Sequence, residues 1–133
     1  MKKHLLTLFV GFIGFTATYL ILYTRYYTYY RTNNFDKAIN QFNKIIGINN
    51  DLAQNAYYYL ADSYLNSGQK SAALSAFRKA SVMTFNKSLA EDAFLNYSKL
   101  SYEIGNPFEK VSNVLFQFLR KYPKNESYKT IYN

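Results

Sequence analysis

The chain has 133 residues, about the length of one domain, and carries sixteen Lys and Arg against eight Asp and Glu, a formal net charge of +8. Hydrophobic residues make up 49% of it, which excludes a disordered tail, and the lack of cysteine excludes a disulfide framework, a thiolate nucleophile and a Cys-ligated zinc site. Aromatic residues reach 20%, with fifteen tyrosines among them.

The first predicted element is a transmembrane helix at residues 5–23. No residue between Lys3 and Arg25 carries a formal charge, and nineteen helical residues rise about 28 Å, close to the thickness of a bilayer's hydrocarbon core. Six tyrosines follow between residues 19 and 30, where amphipathic rings favour the headgroup level. Residues 1–31 are therefore predicted to form an anchor helix with a Tyr-rich juxtamembrane end, which predicts a single-pass membrane protein.

Two alternatives to the anchor stay open. A cleaved signal peptide shares the basic start and would make the protein periplasmic or secreted, although its apolar region is usually shorter and no small-residue cleavage site follows here. A buried core helix is the other alternative, although such helices are rarely apolar on every face. The orientation is not determined, because Lys2 and Lys3 on one side balance Arg25 and Arg31 on the other.

Beyond residue 32 the apolar residues follow a spacing of three and four, typical of amphipathic helices. Five helices are predicted, over about residues 35–46, 51–66, 69–83, 88–105 and 106–121. The expected end signals are Gly47 in a left-handed conformation, Asp51 with Gln54 as a capping pair, Ser88 with Glu91 as a capping box, and Asn106 with Pro107 at the start of the fifth helix. No useful β alternation occurs, so the predicted body is all-α.

A recurrent pattern of large and small residues runs through these helices. Its best copy is Tyr57-x2-Leu60-Ala61-x2-Tyr64, followed by Gly68, Ala73-x3-Phe77 and Ala80, with Ala38-x3-Phe42 thirty-five residues before Ala73-x3-Phe77. This pattern resembles the tetratricopeptide repeat (TPR), a 34-residue helix pair that reads W-x2-L-G-x2-Y and then A-x3-F. The resemblance covers about residues 20–123 and is strongest at 53–86. In a third copy, Phe94, Tyr97, Ser98 and Ser101 take the first-helix positions.

The resemblance implies a short α-solenoid of antiparallel helix pairs over residues 32–123. The predicted fold class is therefore all-α, with an N-terminal transmembrane or signal-anchor helix followed by a TPR-like solenoid. The first helix of the first repeat falls on about residues 20–32, so the anchor is expected to continue into it. The small Ala61, Ala73 and Ala80 are expected at close helix approaches. Residues 124–133 are expected to begin a further helix or to form a C-terminal tail.

The resemblance also implies a function, since members of this family are usually scaffolds that hold a peptide or helix in a concave groove. Carried over by position, the partner-binding residues are Asn55, Tyr58, Asp62, Leu65, Asp92, Leu95, Lys99 and Tyr102, with Tyr23, Tyr27 and Tyr30 extending the groove if the first repeat is complete. Tyr58 and Asp62 stand where the family's lysine and asparagine clamp for a terminal carboxylate would lie, which disfavours that ligand. The alternative is that these tyrosines only pack neighbouring helices.

No other pattern predicts chemistry, so no catalytic residue, metal ligand or cofactor is expected. Glu91 and Asp92 suit a helix first turn better than acid–base catalysis, and His4 suits an interface. The basic residues alternate with acids and are expected to form a solvated face, so no nucleic-acid partner is predicted; they include Arg78, Lys79, Arg120, Lys121, Lys124 and Lys129.

The favoured hypothesis is a membrane-anchored TPR-type adaptor without catalytic activity, attached through residues 5–23 and binding a protein or peptide partner. The alternatives are a periplasmic or secreted repeat protein and a truncated member of a longer TPR array. Repeat arrays generally need a polar cap, and no full capping helix follows Pro123. A homo-oligomer through this uncapped C-terminal end is therefore possible.

Overall fold

The computed structural model describes residues 17, 18, 20–47 and 50–131, and this part of the chain is helical without any strand. Its helices are α1 (20–31), α2 (Phe35–Phe42), α3 (Asp51–Asn66), α4 (Lys70–Val82), α5 (Lys87–Ile104) and α6 (Val111–Lys121), followed by a 3₁₀ helix, Glu126–Ile131. The all-α prediction is confirmed for these residues. Most of the predicted anchor, residues 5–23, lies outside them, and no described helix is long and apolar enough to cross a membrane.

Consecutive helices pack against each other along the chain, from α2 to α6, and the 3₁₀ helix returns to α5. The short connections between them make each neighbouring pair antiparallel. Large side chains from successive helices fill one continuous core, with Tyr26, Phe42, Phe77 and Phe118 fully or almost fully buried. This is the stacked helix-pair architecture that the repeat pattern predicts.

The small residues that were predicted at the contacts between helices are buried. Ala61 of α3 and Ala73 and Ala80 of α4 are completely buried. A larger side chain at these positions would force the helices apart, because interiors are packed too densely to absorb extra atoms. The alanines therefore set the spacing of the α3–α4–α5 stack.

The predicted end at Gly47 of the helix over residues 35–46 is wrong. Helix α2 ends at Phe42, and the next residues form a turn in which the Ile45 N–H donates to the Phe42 carbonyl at 3.0 Å. This turn buries Ile45, and among the described glycines only Gly68 (φ 76°) and Gly105 (φ 80°) have positive φ. The apolar spacing continued past Phe42 because the turn residues also face the core.

The two predicted capping pairs are also wrong, each by one or two residues. Asn50, not Asp51, caps α3 by accepting from the Ala53 N–H at 2.8 Å. In the same way Asn86, not Ser88, caps α5 by accepting from the Leu89 N–H at 3.0 Å. Asparagine and serine are both good N-caps. At α5 the cap is Asn86, which comes before Ser88 in the sequence.

Helix α6 begins at Val111, later than the predicted start at Asn106. The Asn106 Oδ1 accepts from the Phe108 N–H at 2.8 Å, and its Nδ2 donates to the Tyr97 hydroxyl at 2.7 Å. Residues 106–110 are therefore held as a loop against α5, and Pro107 lies in that loop instead of a first helical turn.

The C-terminal 3₁₀ helix lies against the last repeat. Ile131 is buried, and the Nδ2 of Asn125 donates to the Glu91 Oε1 at 2.7 Å. Glu91 therefore binds the C-terminal segment instead of closing a capping box at the start of α5.

Candidate functional site

The predicted groove positions lie on α3 and α5, the first helices of the second and third helix pairs. Asn55, Tyr58, Asp62 and Leu65 are spaced by three or four residues along α3, and Asp92, Leu95, Lys99 and Tyr102 are spaced likewise along α5. This spacing places each set on one face of its helix. Their exposure differs widely, since Leu95 is buried and Tyr102 is 54% exposed.

Two hydrogen bonds join the groove helices to each other. The Tyr30 hydroxyl donates to the Asp62 Oδ2 at 2.6 Å and links α1 to α3. The Tyr58 hydroxyl donates to the Asp92 Oδ2 and links α3 to α5. These two bonds use three of the eight predicted groove residues, Tyr58, Asp62 and Asp92, to hold α1, α3 and α5 together.

Both tyrosines are held in the neutral, donating form. Burial, and then the hydrogen bonds and charges of Asp62 and Asp92, raise the pKa of Tyr30 and of Tyr58 well above the usual range for a phenol. The negative charge of each pair therefore stays on the carboxylate. Neighbouring amides donate to the same oxygens, from Asn66 to Asp62 at 3.1 Å and from Asn96 to Asp92 at 3.2 Å.

A cluster of aromatic rings covers the α1 end of the groove. Tyr23 stacks on Tyr27 with ring centroids 6.3 Å apart, and the ring of Tyr59 lies 5.1 Å from Tyr27 and 5.0 Å from Tyr30. These ring contacts pack α1 on α3, which is the packing role that the tyrosines were given as the alternative. Their role as a groove lining stays a prediction.

Tyr26 has a purely structural position. It is fully buried, its ring meets Phe42 edge to face at 6.0 Å, and its hydroxyl has no hydrogen-bond partner among the described residues. It occupies the place where the repeat pattern has a small residue.

Gln54 is a structural residue whose role the sequence analysis missed. Its side chain is completely buried, and its Nε2 donates to the carbonyls of Ala80 at 3.2 Å and Met83 at 2.6 Å. The same Nε2, with two N–H groups shared among three carbonyls, also lies 3.1 Å from the Asn86 carbonyl oxygen, and the Gln54 Oε1 accepts from the Asn86 N–H at 2.8 Å. The available signal was a glutamine on the apolar face of α3, which is unusual unless its amide is bonded.

The described residues contain no group of three acidic, His or Cys side chains that could hold a metal ion. Glu91 and Asp92, adjacent in sequence, bind different neighbours, Asn125 and Tyr58. The pair thus forms no shared carboxylate site.

The sequence model of the tetratricopeptide repeat family matches residues 27–52 and 54–81. These two adjacent segments cover the end of α1 with α2, and α3 with α4, the same helix pairs that carry the Ala-x3-Phe pattern. Residues 27–52 and 54–81 therefore carry two adjacent tetratricopeptide repeats, and repeats of this family serve as protein–protein interaction scaffolds. No curated protein matches the sequence.

Proposed function

We propose that the chain is a membrane-anchored TPR scaffold that binds a protein or peptide partner in the groove of α1, α3 and α5 and has no catalytic activity. The observation that carries the proposal is the pair of Tyr–Asp hydrogen bonds, which holds the three groove helices in one arrangement before any partner arrives. A groove fixed in this way costs less conformational entropy on binding.

The accessible part of the groove lies beside this fixed part. On α5, Lys99 is half-buried and Tyr102 is 54% exposed, about two and three helical turns beyond the Tyr58–Asp92 bond. Asn55 and Leu65 on α3 are partly exposed on the same face as Asp62. A bound peptide would meet amide, ammonium, carboxylate and aromatic groups here, which suits a mixed polar and apolar segment.

The anchor part of the proposal rests on the uncharged residues 5–23 and on the start of α1. Leu20 and Ile21 are large apolar side chains exposed at that start, and a bilayer would bury them. A cleaved signal peptide is the alternative, and it would release the repeat body into the periplasm or the outside medium.

An exposed apolar hollow supports self-association at the C-terminal end. It has a volume of about 500 Å³ and is lined by Tyr102, Val111, Ser112, Leu115, Phe116 and Leu119, with Phe116 66% exposed. Exposed patches of this kind on soluble domains commonly mark interaction surfaces. A second copy of the chain is therefore a candidate occupant.

Photo-crosslinking of the full chain in membranes of the producing cell tests the proposal. The photoreactive p-benzoylphenylalanine replaces Tyr102, which lies both on the groove face and in the C-terminal hollow. We expect crosslinks to another protein, weakened by Lys99→Glu on the same face of α5 and unaffected by the matched control Lys79→Glu on the exposed side of α4. A product of twice the chain's mass would assign the hollow to a second copy.

Four outcomes contradict parts of this proposal. Absence of any crosslink would contradict the assignment of the groove as the binding site. Equal weakening of the crosslinks by Lys99→Glu and Lys79→Glu would contradict it as well. Recovery of the chain in the soluble fraction would contradict the proposed membrane anchor. A mature amino terminus that begins after Thr18, measured by mass spectrometry, would establish the cleaved alternative.

A further inference from the structure

A pocket of about 720 Å³ lies between α4, α5 and α6. Its α5 wall is formed by Phe94 and Tyr97, which point at least about 140° away from Asp92 and Lys99 on the same helix, at 100° per residue. The pocket therefore opens on the side of α5 away from Asp92 and Lys99.

Three basic side chains line this pocket, although they are far apart in sequence. Arg78 comes from α4, and Arg120 and Lys121 come from α6. The two ion pairs in the described part of the chain, Lys70–Glu103 and Lys129–Glu126, lie elsewhere. Among the described residues, none of the three cations has a carboxylate oxygen within 4.0 Å.

The pocket's single acidic residue is already engaged. Glu109 accepts from the Tyr97 hydroxyl at 3.0 Å with one oxygen and from the Gln117 Nε2 at 3.0 Å with the other. Its carboxylate is held against the wall, and the balance of charge among the lining residues is +2, three bases less one acid. A segment with several negative charges would complement this positive lining.

Apart from Ser81, the rest of the wall is apolar, and part of it is open to solvent. Val82 is 68% exposed and Phe108 is 48% exposed, and Phe94 closes the inner side. The Arg78 guanidinium lies 4.8 Å from the centre of the Phe108 ring, and the Lys121 ammonium lies 5.8 Å from that of Phe94. These cation–π contacts place the positive charges beside the apolar surface.

We propose that this pocket is a second binding site that takes an acidic peptide segment, with carboxylates at Arg78, Arg120 and Lys121 and an apolar side chain against Phe108 and Val82. A free phosphate would leave the exposed apolar wall unused. A nucleic-acid backbone needs a line of cations along a surface, whereas these three surround one hollow. The acidic peptide matches both the charge and the apolar wall.

Fluorescence anisotropy with the full chain in detergent tests the assignment. The probe is a fluorescein-labelled Glu-Glu-Phe-Glu-Glu peptide at an ionic strength of about 0.15 M. We expect binding that weakens about tenfold when Arg120→Gln removes one charge contact. The matched control Lys124→Gln, an exposed charge outside the pocket, should leave the affinity unchanged.

Further variants of the chain and of the probe distinguish binding at this pocket from binding elsewhere on the chain. Lys99→Gln should leave the affinity for the probe unchanged, because Lys99 belongs to the proposed groove and not to this pocket. Failure of the groove proposal would therefore not contradict this site. Replacing the probe's Phe by Ala should weaken binding, and equal binding would reduce the site to a simple anion site. No binding of the probe, or equal loss with Arg120→Gln and Lys124→Gln, would overturn the proposal. Circular dichroism of each variant establishes that it is folded.

Discussion

Gln54 joins the end of one helix to the start of the next through a single side chain. The carbonyls that it bonds belong to Ala80 and Met83 at the C-terminal end of α4, where the helix leaves carbonyls without partners. Its bonds to both backbone groups of Asn86 fix the connection that leads into α5. A residue of the second repeat thus positions the third.

Replacing this amide should destabilise the fold. Gln54→Leu keeps a similar volume but leaves the Met83 carbonyl and the Asn86 N–H without their bonds, so we expect a loss of about 2 kcal/mol in the free energy of unfolding. Asn55→Leu is the matched control, because the Asn55 side chain donates only to the Asp51 carbonyl of its own helix. Urea unfolding followed by circular dichroism measures both, and equal effects would contradict the linking role.

At the scale of the helix, the sequence predicted the elements better than their ends. Helix α3 begins and ends as predicted, at Asp51 and Asn66, and α4 is within one residue of its predicted bounds at each end. The repeat pattern defines the apolar face over several turns, so single exceptions do not matter. An end depends on one side chain, and where Asn86 and Ser88 both suit a cap the pattern does not choose between them.

The choice at the start of α5 can be measured. The Asn86 side chain accepts from the Leu89 N–H, so Asn86→Ala should lower the free energy of unfolding by about 1 kcal/mol. Ser88→Ala should change it by less than about 0.5 kcal/mol, because Ser88 is exposed in the first turn. If thermal unfolding showed that Ser88→Ala destabilises the chain more than Asn86→Ala, Ser88 would be the cap.

The candidate sites were predictable only where they follow the repeat. Tyr58 and Asp92 stand thirty-four residues apart, the length of one TPR unit, so their positions were identified even though their bond was not. The residues that line the pocket do not follow the repeat spacing. Arg78 and Arg120 come from helices of different repeats, and the loop from 106 to 110, which was predicted as helix, supplies Phe108 between them.

Phenol hydroxyl groups connect successive helix pairs along the whole stack. Tyr30 joins the first helix pair to the second, and Tyr58 joins the second to the third, each through an aspartate of the next unit. A TPR stack is stabilised through the interfaces between neighbouring repeats, since each unit contacts little else. The protonation of these two tyrosines therefore contributes to the strength of the stack, beside the apolar core that the helices share.

Alkaline pH should consequently loosen the stack. The pKa of Tyr30 and of Tyr58 is raised in the folded chain, by burial first and by the aspartates next, whereas in the unfolded chain both lie near about 10. Above that pH the unfolded state releases protons that the folded state retains, so the stabilisation is complete below about pH 10 and is lost as the pH rises further. The melting temperature should fall by several degrees from about pH 9 to about pH 11.

A double variant distinguishes this effect from the general loss of lysine charge. With Tyr30→Phe and Tyr58→Phe together the chain should melt lower at about pH 8 and decline less between about pH 9 and 11, because neither ring can ionise. Tyr57→Phe on α3 is the control, since the Tyr57 hydroxyl bonds to no carboxylate in the described chain and this variant should follow the wild type. The same alkaline decline in the double variant would show that the interfaces between repeats do not depend on the two protons.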